Sequence, residues 1–172
     1  MSDTPQDTAA PPAEGQPSGR PLTFLGQYIK DLSFEVPGAP DIFNTLRQTP
    51  PEIPIALDAN VRQIEGPVFE VTLNVHLEAK AGDKVAFILE LVYGCVVELN
   101  PQLVPQEHAH PVLMIEVPRH LFPFVRQIVA DATGSAGFPP LMLQLVDFTD
   151  MYRRKFATQV EAPATEATPA VH

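Results

Sequence analysis

From Phe69 to Ala79 the chain alternates with hardly a break, Phe69, Val71, Leu73, Val75 and Leu77 against Glu70, Thr72, Asn74, His76 and Glu78. Successive side chains of a strand point to opposite faces, so this segment reads as a strand with one face in a core and the other in water. Lys80–Lys84, carrying Gly82-Asp83, has the length and residues of a hairpin turn. The next apolar run, Val85–Leu99, is therefore expected to return antiparallel beside it. That run is apolar on both sides. Its odd positions are Val85, Phe87, Leu89, Leu91, Tyr93, Cys95, Val97 and Leu99, and its even positions include Ala86, Ile88, Val92 and Val96. A strand apolar on both faces needs a cover on the second, either this chain's own helices or another copy of the chain.

Two earlier segments complete a sheet. In Leu22–Val36 the even positions are mostly apolar, and the odd ones include Gln27, Asp31, Ser33 and Glu35. In Ile53–Ile64 the residues Ile53, Ile55, Leu57, Ala59 and Val61 oppose Asp58, Asn60 and Arg62. After the sheet comes a connection, 101–111, that contains prolines and histidines, and then a short apolar segment, VLMIEV. Leu121, Phe124 or Val125, Ile128, Val129 and Ala132 then recur at helical spacing, which predicts a helix over about 118–133 with Gly134 as its stop. Phe138-Pro139-Pro140 breaks the chain, and LMLQLV fits neither period. Asp147 can cap a last helix, DFTDMYRRKFATQ, whose Phe148, Met151, Tyr152 and Phe156 share one stripe. Four strands followed by two helices define an α+β domain. Proline, 20 of 172 residues, crowds both ends among small and polar residues. Segments 1–21 and 159–172 are thus expected to be disordered tails flanking one folded domain, 22–158, because they bury too little apolar surface to offset backbone entropy.

Charge and motif content narrow the function. With 11 Lys and Arg against 21 Asp and Glu, the net charge of −10 repels nucleic acid and anionic lipid and favours a basic partner. No apolar stretch is long enough to cross a bilayer, the acidic, polar start is unlike a secretory signal, and the lone Cys95 sits in an apolar run; a reducing cytoplasm is the expected compartment. Glu107, His108 and His110 could offer metal ligands, but without a further ligand set at finger spacing a solvated loop is the plainer reading. His76 and His120 have no nucleophile beside them, Cys95 reads as core, and no phosphate loop, nucleophile elbow or zinc-protease motif is present. Neither an enzyme nor a bound cofactor is expected. On the first strand Asp31, Ser33 and Glu35 share a face, and on the fourth Ile88 and Glu90 do. If these faces coincide they make a flat carboxylate patch with an apolar spot.

Tyr28-Ile-Lys-Asp-Leu-Ser-Phe-Glu-Val-Pro-Gly-Ala-Pro resembles the N-terminal signature of the SecB family of bacterial protein-export chaperones. Leu121-Phe-Pro-Phe-Val-Arg, Gly137-Phe-Pro-Pro-Leu-Met-Leu and Val146-Asp-Phe extend the likeness, in the family's order, over about 24–156. The resemblance implies a four-stranded antiparallel sheet with two C-terminal helices and a homotetramer built as a dimer of dimers. It implies a chaperone that uses no ATP, holds unfolded precursor proteins and passes them to the translocation ATPase SecA. Positions that affect tetramer assembly in the family fall on Phe87, Leu89, Leu91 and Tyr93. The patch that docks SecA's basic, zinc-bearing tail falls on Asp31, Glu35, Ile88 and Glu90; the zinc is the partner's. A client groove near the last helix would draw on Phe43, Phe148, Met151 and Tyr152. The loop after the first strand offers Phe43 and Leu46 but no Trp. The other reading is an adaptor or specialised chaperone of the same fold, serving a narrow client such as an antitoxin, without SecA docking.

Overall fold

The computed structural model of the protein describes the backbone of residues 19–160 and the side chains of residues 19–156. The expected tails, 1–21 and 159–172, lie mostly outside the described residues. Strands β1 (Leu22–Glu35), β2 (Ile55–Glu65), β3 (Val68–Ala81) and β4 (Lys84–Leu99) form one antiparallel sheet in the order β1-β4-β3-β2. Ala81 pairs with Lys84 across Gly82-Asp83, and Gly82 takes a φ of 60°, which a residue without Cβ adopts freely. The connection from β1 to β2 holds a helix of 5 residues, α1 (Ile42–Leu46), too short to leave a periodic signal in the sequence.

One face of the sheet is the core. Val71, Leu73, Val75 and Leu77 of β3 lie beside Phe87, Leu89, Leu91, Tyr93, Cys95 and Val97 of β4, with Ala59 of β2, and all are buried. Their cover comes from this chain. A helical stretch runs from α2 (Gln106–Pro111) through a π-helical turn (Val112–Glu116) into α3 (Val117–Ser135). Val117, Leu121, Val125 and Val129, one stripe at a spacing of four, are fully buried against the sheet. Burial of each such side chain stabilises the fold by about 1.5–3 kcal/mol.

The helix expected at 118–133 is therefore the second half of a longer one, and 101–111 is not all loop. Its prolines suggested a break, but Pro105 stands at the N-cap, where a missing N–H leaves nothing unsatisfied. The π-helical turn lies between Pro111 and Pro118, where the regular ladder lacks donors. The stop is also displaced. Gly134 lies within α3, whereas Gly137, at φ 88°, turns the chain while the Phe138 N–H donates to the Thr133 carbonyl at 3.1 Å. The segment that follows, 139–147, has no regular secondary structure and is fixed where the Leu141 N–H donates to Thr133 Oγ1 at 2.9 Å. Helix α4 (Phe148–Val160) begins on the expected cap, with Asp147 Oδ1 accepting from the N–H groups of Thr149 (2.9 Å) and Asp150 (3.1 Å). Among the described residues no helix is long and apolar enough to cross a membrane.

Candidate docking face and client groove

Among the described residues no helix packs on the sheet's other face, and β1 reaches it by an irregular path. Tyr28 pairs with Gly94 and Ile29 with Tyr93, but Asp31, not Lys30, pairs with Val92. Lys30 is thus an extra residue in a bulge, and a second shift lies between Phe24 and Gly26. The even positions of β1 consequently do not form one stripe. Phe24, Leu32 and Phe34 sit opposite core positions of β4, whereas Tyr28 sits opposite outer ones and Lys30 reaches an outer-face carboxylate.

Beyond the bulge the pairs are Asp31–Val92, Ser33–Glu90 and Glu35–Ile88. The two faces singled out in the sequence coincide, and Asp31, Glu35, Ile88 and Glu90 stand together on the outer surface. Strand β3 adds two residues of its polar face that the pairing brings to the patch: His76 lies opposite Glu90 and Glu78 opposite Ile88. His76 Nδ1 is 3.2 Å from Glu90 Oε1, and both side chains remain about half exposed. Beside them a cleft of about 380 Å³ is lined by Asp31, Asp58, Asn74, His76, Glu90 and Val92. Asn74 Oδ1 is buried with no hydrogen-bond partner.

The opposite end of this face is closed by its own bonds. Glu70 is almost fully buried, and three side chains reach it. Tyr28 Oη donates to its Oε1 at 2.5 Å, Lys30 Nζ lies 2.9 and 3.0 Å from the two oxygens, and Arg62 donates to Oε2 through Nε (3.1 Å) and Nη2 (2.9 Å). The Tyr28 hydroxyl and then the Lys30 ammonium hold the Glu70 carboxyl down at about 2, and the same bond pushes the Tyr28 phenol up to about 12. Gly94 makes this arrangement possible. A Cβ there would meet the Tyr28 ring at 3.0 Å, so the ring lies flat over the glycine.

The four positions that the resemblance ties to assembly, Phe87, Leu89, Leu91 and Tyr93, occupy the other side of the sheet and are buried within this chain. Phe87 packs against Phe34 and Phe138, Leu89 and Leu91 are fully buried, and Tyr93 stacks with Phe124 while donating to Gln27 Oε1 at 3.3 Å. Exposed apolar side chains appear instead along the β1 edge, at Leu25, Ile29 and Leu32, and at Phe124 of α3.

A groove of about 830 Å³ runs between the β2 edge, segment 139–147 and α4, lined chiefly by Ile55, Leu57, Leu143, Leu145, Val146 and Met151. Of the residues expected in a groove, Met151 lines it, whereas Phe148 is buried beneath it against Phe122. Tyr152 faces His110 and Phe156, and Phe43 packs on Phe138. Two of the residues thus belong to other contacts of the fold. The groove's most exposed wall, Leu145 at 83%, comes from the LMLQLV segment that fitted no period. Glu107, His108 and His110, read as a solvated loop, are helical, and the His110 ring packs between Tyr152 and Phe156. Burial pushes the Cys95 thiol up to about 12, so it remains a protonated core side chain.

The described residues form an antiparallel four-stranded sheet roofed on one face by a long helix, a fold shared with a solved SecB-like chaperone. A solved SecB-like chaperone of Mycobacterium tuberculosis, in complex with a peptide from an antitoxin, superposes with a TM-score of 0.61 at 16% identity, covering 73% of this chain and 90% of that one. The family model described as preprotein translocase subunit SecB matches residues 15–159. The protein-export protein SecB of Rhodospirillum rubrum is 49% identical over 168 residues, 97% of this chain and 98% of the relative. That of Agrobacterium fabrum is 47% identical over 148 residues, 86% and 91% of the two chains. The chain belongs to the SecB family.

Proposed function

We propose that the protein is a cytoplasmic, ATP-independent export chaperone that holds unfolded precursor proteins in a translocation-competent state and delivers them to SecA. Binding, not turnover, is the activity. The observation that carries the docking half of this reading is the β1–β4 register, which gathers Asp31, Glu35 and Glu90 around Ile88 on a face that no helix among the described residues covers. Carboxylates so arranged attract a basic tail over a distance and orient it on contact, and the apolar spot adds desolvated area. The neighbouring cleft, with Asp31 and Glu90 about it and Asp58 on its rim already held by Lys155, suits a lysine or arginine side chain of that tail.

Capture of clients rests on the groove beside α4. Extended segments of an unfolded chain can bury apolar side chains against Ile55, Leu143, Leu145 and Met151, at about 25 cal/mol per Å², and β2 is an edge strand with backbone groups available for pairing. A homotetramer, assembled as a dimer of dimers, fits the apolar side chains along the β1 edge. Phe87, Leu89, Leu91 and Tyr93 support assembly from within, as buried side chains of the sheet on which α3 rests. Identity of 45–49% to export proteins across most of the chain favours the export reading over an antitoxin-directed chaperone.

Calorimetry with the C-terminal tail of SecA tests the proposal. Wild type is expected to bind, and Glu90→Ala to lose most of the affinity. A correctly assembled wild-type protein that gives no heat with the tail would overturn the docking assignment.

A further inference from the structure

Without its bulge, β1 would carry Asp31, Ser33 and Glu35 on the core side and Leu32 and Phe34 on the outside, since a slip of one residue flips every side chain beyond it. The docking carboxylates therefore depend on Lys30 being held as the extra residue. The structure shows what holds it. Lys30 and Tyr28, on either side of Ile29, both end on Glu70 of β3, spanning β4 to do so, and Arg62 of β2 fixes the same carboxylate from the other flank. The tyrosine ring bridges β4 directly over Gly94, the one residue type that leaves room for it.

We infer that Glu70 is a positioning residue for the docking face: by gripping Tyr28 and Lys30 it fixes the bulge that turns Asp31 and Glu35 toward Glu90. The inference rests on the reading of that face as the SecA dock. Glu70 does not itself meet the partner, because its oxygens are occupied by Tyr28, Lys30 and Arg62 and its side chain is only 7% exposed. Its effect passes through the backbone of β1.

Two measurements on the full-length protein test this, each with Glu70→Ala, Glu70→Gln, Gly94→Ala and Glu90→Ala. Amide hydrogen exchange across Lys30–Glu35 reads the bulge whether or not the tail binds. It is expected to accelerate in Glu70→Ala and Gly94→Ala and to stay at the wild-type rate in Glu90→Ala. Titration with the SecA tail reads the consequence. Glu70→Ala and Gly94→Ala should bind about tenfold more weakly and Glu70→Gln, which keeps an acceptor for the phenol, only about threefold.

Gly94→Ala changes no charge, so its loss can come only through geometry, by displacing the Tyr28 ring. If Glu70→Ala and Glu70→Gln weaken binding equally while Gly94→Ala binds as wild type does, Glu70 acts by its charge at a distance and the inference falls. Unchanged exchange in β1 overturns it as well. A wild-type protein that ignores the tail sinks the docking assignment instead, and leaves the exchange result to decide whether Glu70 holds the bulge.

Discussion

The two ends of the outer sheet face are built from the same strands and treat carboxylates in opposite ways. At one end Glu70 is nearly buried, receives a phenol, an ammonium and a guanidinium, and has no lone pair left to offer. At the other, Asp31, Glu35 and Glu90 stand about Ile88 with solvent access, and His76 is the one ring within reach of Glu90 among the described contacts. The first arrangement uses its charge to hold three strands together; the second leaves its charge open to solvent, as the proposed dock requires. An acidic residue on an exposed sheet is thus a docking candidate only where the fold has not already satisfied it.

The largest expected effect comes from exchanging the two ends' roles in a mutant series. Asp31→Ala combined with Glu90→Ala should weaken binding of the SecA tail about a hundredfold, roughly 2.7 kcal/mol, while leaving unfolding stability within about 0.5 kcal/mol and capture of an unfolded precursor intact. Glu70→Ala should shift that balance, costing about 1–3 kcal/mol of stability and only about tenfold in tail affinity, because two cations and a phenol lose a charged acceptor. The cations themselves are half exposed and can rehydrate, which keeps the cost below that of a fully buried pair. Urea unfolding beside calorimetry separates the two; a double mutant that loses precursor capture along with tail binding would show that the open end is not a separate docking surface.

How much of this contrast could be read from the sequence depends on the strand. Along β3 strict alternation makes the faces legible, and β4, apolar on both sides, takes its faces from pairing with β3, which puts Ile88 and Glu90 on the outer one. On β1 the spacing Asp31, Ser33, Glu35 was correct beyond the bulge, but alternation was carried through Lys30, and so Tyr28 and Lys30 were grouped with the core stripe. A bulge leaves no local signature in residue type here. It is specified by Glu70, some forty positions away, which pairing alone reveals. The proposed client groove is hidden for a related reason: Leu143 and Leu145 lie on a segment without helix or strand, so neither period describes it, while Phe148 shares a helical stripe with Met151 but is buried in the core. In the helical region prolines misled, since breakers at 105 and 111 were absorbed by an N-cap and a π-helical turn.

The pH dependence of stability sharpens the comparison at a smaller scale. The Glu70 carboxyl is lowered from an ordinary 4.5 to about 2 by the Tyr28 hydroxyl and the Lys30 ammonium, so its contribution is complete above about 4.5 and is lost as the pH falls from there toward 2. The Tyr28 phenol is raised from 10.0 to about 12, so its contribution is complete below about 10 and is lost as the pH rises toward 12. Urea midpoints measured from pH 2 to 12 should decline on both limbs in wild type. Glu70→Gln should flatten the part of the acid limb due to this site and bring the Tyr28 titration back toward its ordinary range. Parallel curves for the two proteins would mean that the closed end is held by packing of Tyr28 over Gly94, not by the charged bonds.

The smallest effect is expected in the groove, away from both ends of the outer face. Leu145 is the most exposed large apolar side chain among the described residues, and its neighbours in the groove, Ile55 and Met151, are only partly covered. Leu145→Ser removes little buried area, so stability should stay within about 0.5 kcal/mol of wild type. The cost falls on the complex with an unfolded chain, where a leucine that would bury about half its surface contributes roughly 1 kcal/mol, a loss of about fivefold in affinity. Tail binding should not change, because the groove and the outer face draw on separate side chains apart from Leu57 and Asp58, which border both. A competition assay with a reduced, unfolded precursor and the SecA tail on the same sample measures both affinities at once. If Leu145→Ser weakens tail binding as well as precursor capture, the two surfaces are coupled through the β2 edge that Leu57 and Asp58 share. Asp58 would be the residue to examine next, since Lys155 of α4 donates to its Oδ1 at 2.6 Å and to the Ala59 carbonyl at 2.8 Å, tying the wall of the groove to the rim of the docking cleft.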